Sequence, residues 1–231
     1  MKYNRVVQGT FRTRLNRFIA LVEIDGILEK VHVKNTGRCK ELLIDGAEVF
    51  LSVSDNNERK TKYDLITVKK KTNKNTLLIN MDSQIPNDVV SEWLENCDIF
   101  SDRAVIRREV TFGTSRFDFA VSDGDRKAFL EVKGVTLEND GVAMFPDAPT
   151  ERGVKHLREL ICAIEEGYEA YVLFVIQMKN VYKFIPNKNT HPEFADMLKR
   201  AKNCGVKILA MDCNVTIDSI SIDSPIEIEI L

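Results

Sequence analysis

Asp118, Glu131 and Lys133 are the residues of this 231-residue chain whose types and spacing point most directly to chemistry. They lie in two short alternating segments, Phe117-Asp118-Phe119-Ala120-Val121 and Phe129-Leu130-Glu131-Val132-Lys133, separated by the turn-forming run Asp123-Gly124-Asp125-Arg126. Side chains alternate sides along a strand, so the pattern puts Phe117, Phe119 and Val121 on one face, with Asp118 on the other. Folding about the Gly124–Asp125 bond sets Asp118 directly across from Glu131, with Cβ atoms about 4.5–5.5 Å apart. Two like charges so placed repel unless a positive charge joins them. A divalent cation suits the pair, because Mg²⁺ takes hard oxygen ligands, commonly one or two carboxylates completed by water and phosphate oxygens. With Mg²⁺ or Mn²⁺ on Asp118 and Glu131, Lys133 would orient a bound water or draw its proton, and would offset charge at a reacting phosphorus. Glu109 on the preceding segment, and Glu92 or Glu95 before that, are further ligand candidates. Asp147, Arg152, His156 and Glu159 complete the site if the loop ahead of them folds back over the strand ends. Alternation alone also describes an ordinary strand with one wet face, so the surrounding elements must decide.

Residues 6–80 read as short strands with no long helix. Phe18–Ile24 and Ile27–Val33 flank Asp25-Gly26, a strong hairpin signal, and further strands are expected near 48–53, 64–69 and 76–79. About five strands in this length suit a small barrel of the oligonucleotide-binding (OB) type, although a sandwich fragment satisfies the same pattern. Asp82–Asn87 reads as a linker, with Pro86 as the breaker and Asp88 as a cap, which divides the chain into domains 1–84 and 85–231. Beyond it the expected order is a helix at 89–96, strands near 103–112, 116–122 and 127–135, a helix at 150–166, a strand at 170–176, a helix near 191–203 and a strand at 206–211. Such alternation implies a mixed sheet with helices on both faces. In the 150–166 helix, Thr150 is the expected N-cap. Val154, Leu157, Ile161 and Ile164 form an apolar stripe, and Arg152, His156 and Glu159 cluster on the opposite side.

Composition is that of a globular protein, 44% hydrophobic and 29% charged. No apolar run is long enough to span a bilayer and no signal-type segment follows Met1, so a cytoplasmic location is expected. Five scattered cysteines without Cys-x-x-Cys spacing indicate neither a disulfide framework nor a zinc site. The net charge of −2 hides an asymmetry: residues 1–85 carry 16 Lys and Arg against 10 Asp and Glu, while the remainder carries 17 against 25. A basic module fitted to a polyanion thus precedes an acidic one that can gather cations. Within the basic half, Arg12, Arg14 and Arg17 alternate near Phe11 and Phe18, and Arg59, Lys60 and Lys62 precede Tyr63. Cations interleaved with aromatics fit a nucleic-acid groove, with the cations on phosphates and Phe11 and Phe18 in the core. Asn35-Thr36-Gly37-Arg38 reads as a turn that adds Arg38 to this set.

The order of elements, with Asp on the second strand and Glu-x-Lys on the third, resembles the PD-(D/E)xK nuclease superfamily, although Phe117 stands where that motif often has Pro. Over the whole chain, Arg17–Ala20, Asn35–Arg38, Arg59–Thr61, Ser115–Phe119, Glu131–Leu137, Phe145–Ala148 and Thr150–Leu160 resemble the bacterial and archaeal sugar fermentation stimulation protein A family. The resemblance implies an N-terminal OB-fold-like barrel, a C-terminal α/β nuclease-like domain and non-sequence-specific binding of DNA; the residues themselves do not choose between single- and double-stranded DNA and admit RNA as a further partner. Two functions follow from it: a metal-dependent nuclease, or a non-catalytic DNA-binding regulator of sugar metabolism genes that keeps the nuclease-like domain as a scaffold.

Overall fold

The computed structural model describes every residue except Thr36, Asn57, Lys74 and Leu231. The first six strands are β1 (Val6–Arg14), β2 (Ile19–Ile24), β3 (Ile27–Val33), β4 (Glu48–Val53), β5 (Tyr63–Lys71) and β6 (Thr76–Asn80). They follow the order β3-β2-β1-β4-β5-β6, and an additional parallel pairing of β3 with β5 closes them into a barrel rather than a sandwich. The β2–β3 turn shows why the hairpin was legible. Asp25 and Gly26 both take positive φ, 51° and 78°, in the tight turn whose twist suits paired strands. Phe11 is in the barrel core as expected. Phe18 is not: about half of it is exposed, because it lies in the tight β1–β2 turn before the first inward position of β2.

Helix α1 (Ile85–Leu94) begins four residues earlier than the sequence suggests, with Pro86 inside its first turn. Proline there loses only an N–H that has no helical acceptor, so it starts the helix instead of breaking it. Next come β7 (Val105–Phe112), β8 (Ser115–Asp123), β9 (Arg126–Val135), β10 (Leu137–Asn139), β11 (Val142–Phe145), α2 (Glu151–Glu165), β12 (Glu169–Ile176), β13 (Lys183–Pro186), α3 (Pro192–Asn203), β14 (Lys207–Val215), β15 (Ile220–Pro225) and β16 (Glu227–Ile228). The main sheet has the order β15-β14-β12-β9-β8-β7, with β9, β12 and β14 parallel and the outer strands antiparallel. Strand β12 is apolar on both sides. Ala170, Val172, Phe174 and Ile176 pack with α2 and α3, whereas Tyr171, Leu173 and Val175 pack with α1. A second small sheet, β10-β11-β13-β16, forms where sequence periodicity predicts only loop. Strands of two to four residues are too short to show periodicity.

The barrel is joined to both sheets by buried polar contacts. Gln177, just past β12, donates to Asn80 Oδ1 and the Asp82 carbonyl, and Asn80 donates to the Tyr3 hydroxyl. Asp82, fully buried, is paired with Lys34 at 2.6 Å. Lys70 of β5 reaches both the carbonyl and the carboxylate of Glu138 on β10. Removing any one partner would strand a buried polar group, so the relative placement of the two parts is tightly specified.

Candidate metal centre

The β8–β9 hairpin has the register expected from its turn, running from Asp123 opposite Arg126 to Phe119 opposite Leu130. There the ladder ends. The Asp118 carboxylate accepts from the Val132 N–H at 2.7 Å, and a side chain thus takes a position that a backbone carbonyl would otherwise fill. On the other side of β8, Glu109 adopts φ 57°, in the left-handed region. Between these two irregularities the strand turns over. Phe117 packs with Phe112 and Phe129 toward α2, while Phe119 and Val121 pack toward α1. The expectation that Phe117 and Phe119 share a face is therefore corrected, because strict alternation fails where the ladder is interrupted.

This interruption opens a cleft of about 330 Å³ lined by Glu109, Asp118, Glu131, Lys133 and Arg152, with Ser83, Asn87 and Gly134 among the flanking residues. Glu131 is 2% exposed. Its Oε1 is engaged by the Lys133 ammonium and by Nδ1 of His156, while its Oε2 is buried without a partner. Arg152 Nε donates to His156 Nε2 at 3.3 Å, which leaves the proton on Nδ1 and aims it at Glu131. Asp118 accepts from Asn87 Nδ2 at 2.9 Å. Burial, and then the neighbouring Glu131 charge, push the Asp118 carboxyl up from its ordinary value. Burial acts on Glu131 in the same direction, but the Lys133 charge and the His156 hydrogen bond outweigh it and leave that carboxyl low. The result is a paired carboxylate with one bare oxygen beside a second carboxylate whose charge is poorly accommodated. Desolvated oxygen lone pairs of this kind suit a hard cation.

The other expected residues are distributed around this centre. Arg152 and His156 reach it, and His156 is buried rather than on a wet helix face. Glu109 lines the cleft and pairs with Arg116 at 2.6 Å. Glu159, one turn beyond His156, accepts from Thr114 in the β7–β8 turn. Asp147 lines an adjoining cavity of about 120 Å³ with Asn35, Ser83, Gly134 and Gln177. Glu92 and Glu95 lie at the far end of α1, where Glu92 meets the N-terminal ammonium. The helix contributes Asn87 instead, from its first turn, which is the part that abuts the strand ends. Gly134 also has a local reason. A Cβ there would come within 2.6 Å of Gln177 Oε1 and 2.8 Å of Pro86 Cγ, so only glycine lets α1 and Gln177 close on the strand after Lys133.

In the basic half, three of the expected phosphate contacts have protein partners. Arg12 pairs with Glu23 and Asp45, Arg59 holds Asp64 with both terminal nitrogens, and Arg14 donates to the carbonyls of Asn16, Arg17, Asn35, Gly37 and Arg38. The side chains of Arg38 and Lys60 have no hydrogen bond or ion pair among the described residues. Arg17 lies against Phe18, and Lys62 lies over Tyr63. Of the Asn35–Arg38 turn, Thr36 lies outside the described residues.

The sequence matches the family described as "Sugar fermentation stimulation protein RE domain" over residues 84–219 and the "SfsA N-terminal OB domain" over residues 13–79. The chain belongs to the sugar fermentation stimulation protein family. Relatives named as sugar fermentation stimulation protein homologs include one from Desulfitobacterium hafniense strain DSM 10664 / DCB-2, 60% identical over 95% of this chain and 94% of that protein. Another, from Ruminiclostridium cellulolyticum, is 53% identical over the full length of both. Pyrococcus furiosus SfsA, solved in complex with Ca²⁺, superposes with a TM-score of 0.85 at 28% identity, covering 100% of this chain and 98% of that one. The family thus combines an OB domain with a PD-(D/E)xK-like domain, as the strand orders here do. No helix among the described residues is long and apolar enough to cross a membrane.

A second acidic group lies outside the cleft. Glu151, His191 and Glu193, at the starts of α2 and α3, bring ligand-type atoms within 4.8 Å of one another. Here the protein already supplies partners. His191 Nδ1 accepts from the Thr150 N–H at 3.3 Å, and Glu193 is held by Arg158 at 2.6 Å.

Proposed function

We propose that this protein binds DNA and hydrolyses phosphodiester bonds at a metal centre built on Asp118 and Glu131, with Mg²⁺ or Mn²⁺ as the cofactor and the cytoplasm as its place of action. The observation that carries this reading is the buried, partnerless Oε2 of Glu131 beside Asp118. A buried carboxylate oxygen with no protein partner costs about 1–3 kcal/mol or more, a cost that a cation there would offset. The Ca²⁺ complex of the Pyrococcus relative supports a hard-cation site in this family. The bound ion would polarise a phosphoryl oxygen and acidify a water. Asn87 and the Val132 N–H hold Asp118 in place. His156, its tautomer set by Arg152, holds one oxygen of Glu131 and leaves the other for the ion. Lys133, already at Glu131, would orient the water and offset charge at phosphorus. The basic barrel supports DNA as the polyanion, through contacts that carry no sequence information.

The test is incubation of purified protein with single-stranded, double-stranded and branched DNA, and with RNA, in Mg²⁺ or Mn²⁺. Cleavage that disappears in Asp118→Ala/Glu131→Ala supports the reading. Salt-sensitive DNA binding with no cleavage above that variant would replace it with the scaffold reading, in which the protein regulates sugar metabolism genes without cutting.

A further inference from the structure

The β1–β2 loop of the barrel exposes apolar surface that its own hydrogen bonding holds rigid. Phe18 is 49% exposed and Leu15 51%, and the Arg17 guanidinium lies 6.0 Å from the Phe18 ring centroid. The loop is not slack. Arg14 donates to the carbonyls of Asn16 and Arg17 in this loop and of Asn35, Gly37 and Arg38 in the loop after β3. Asn16 Oδ1 accepts from the N–H groups of both Phe18 and Ile19, and the Phe18 carbonyl accepts from Val33. A loop fastened at this many points could turn its ring inward only by breaking them. The ring is therefore presented in advance, and a ligand that covers it has little ordering cost to overcome.

We propose that Phe18 and Arg17 form a stacking platform for single-stranded nucleic acid, which continues along the barrel–sheet junction toward Asp118 and Glu131. An aromatic face backed by a guanidinium matches an unpaired base and its phosphate. Bases inside a duplex are stacked on both faces and cannot offer one to a side chain. The continuation rests on shared walls. Gly37, fastened by Arg14, lies against Asp147, and Asp147 and Asn35 line the adjoining cavity. That cavity shares Ser83 and Gly134 with the acidic cleft. The buried Gln177 bonds to Asn80 and to Asp82, which is itself paired with Lys34, hold the two parts in one arrangement along this path. The positive balance of the first 85 residues attracts the same ligand.

The proposal rests on nucleic acid as the partner and not on cleavage, so it is tested without metal. In EDTA, the full chain carrying Phe18→Trp is titrated with oligo(dT), with oligo(rU) and with a blunt duplex of equal length. Quenching of the new indole by either single strand and not by the duplex is the expected result, and the two strands distinguish DNA from RNA as its source. Phe18→Ala should bind single strands about tenfold more weakly, with duplex binding unchanged. Arg17→Ala should lower the salt dependence by about one phosphate contact. An unquenched indole in a chain that still binds single strands with steep salt dependence overturns the platform and leaves nucleic-acid binding standing. Failure of the unmodified chain to bind any of the three removes both. Self-association at rising protein concentration that is lost in Phe18→Ala, without a response to oligonucleotide, would assign the patch to a second copy of the chain and overturn the proposal.

Discussion

Two groups of carboxylates with a histidine flank the start of α2, and they differ in what the protein has already provided for them. In the outer group, His191 Nδ1 accepts from the Thr150 N–H, its Nε2 lies 3.5 Å from the exposed Glu151 carboxylate, and the half-exposed Glu193 is paired with Arg158. In the cleft, His156 is spent on positioning Glu131, and Glu131 Oε2 is buried without a protein partner. Proximity of ligand atoms is common to both groups. What separates them is desolvated charge without a partner, which costs free energy until a cation arrives, whereas a solvated and internally paired group gains much less from one.

The largest expected difference between the two is catalytic. Asp118→Ala/Glu131→Ala should lower metal-dependent cleavage of labelled DNA by about 10³-fold or more, whereas Glu151→Gln/Glu193→Gln should leave it within about twofold. Equal losses in both variants would erase the distinction. Thermal unfolding sharpens it next. Mn²⁺ at a hundredfold excess over its Kd should stabilise the wild type by about 2.7 kcal/mol, about 5–10 °C in Tm, and Glu131→Gln should lose that shift while Glu193→Gln keeps it. The histidines provide a smaller contrast. His156→Leu should weaken Mn²⁺ binding by about tenfold in calorimetry and His156→Gln, which can still donate, by less; His191→Gln should leave it unchanged.

The smallest effect is a pH dependence of the metal-free protein. The Asp118 carboxyl is raised by burial and by Glu131, so its contribution to stability is fully present below its unfolded pKa and is lost as pH rises through the higher folded value. Asp118→Asn removes that loss. The Tm difference between variant and wild type should therefore grow in favour of the variant as pH rises through the Asp118 titration, and Mn²⁺ should cancel it. The depressed Glu131 runs the other way, with stability present above its unfolded pKa and lost as pH falls through the folded one. A Tm difference that is flat with pH would show that Asp118 is not desolvated as the geometry requires.

Much of this protein is legible in its sequence wherever the determinant is local. Asp25-Gly26 and Gly124-Asp125 set the registers of their hairpins through turn twist, and the second brings Asp118 and Glu131 just beyond its last pair, Phe119 opposite Leu130. Thr150 capped its helix as expected, by accepting from Gly153. The charge asymmetry and the Glu-x-Lys spacing were likewise visible without coordinates. Only the tertiary structure decided the rest, because each remaining feature depends on residues far apart in the chain. Helix α1 docks its first turn at the strand ends, which selects Asn87 over Glu92 and Glu95. Glu131, 25 positions before His156, draws that histidine out of what looked like a wet face. Arg14, which alternation placed among phosphate contacts, is occupied by carbonyls up to 24 residues away, and Phe18 is left in solvent. Sequence periodicity reports which side chains share a surface of one element. Which surface meets another, and which charge is left there without a partner, is set by packing between elements.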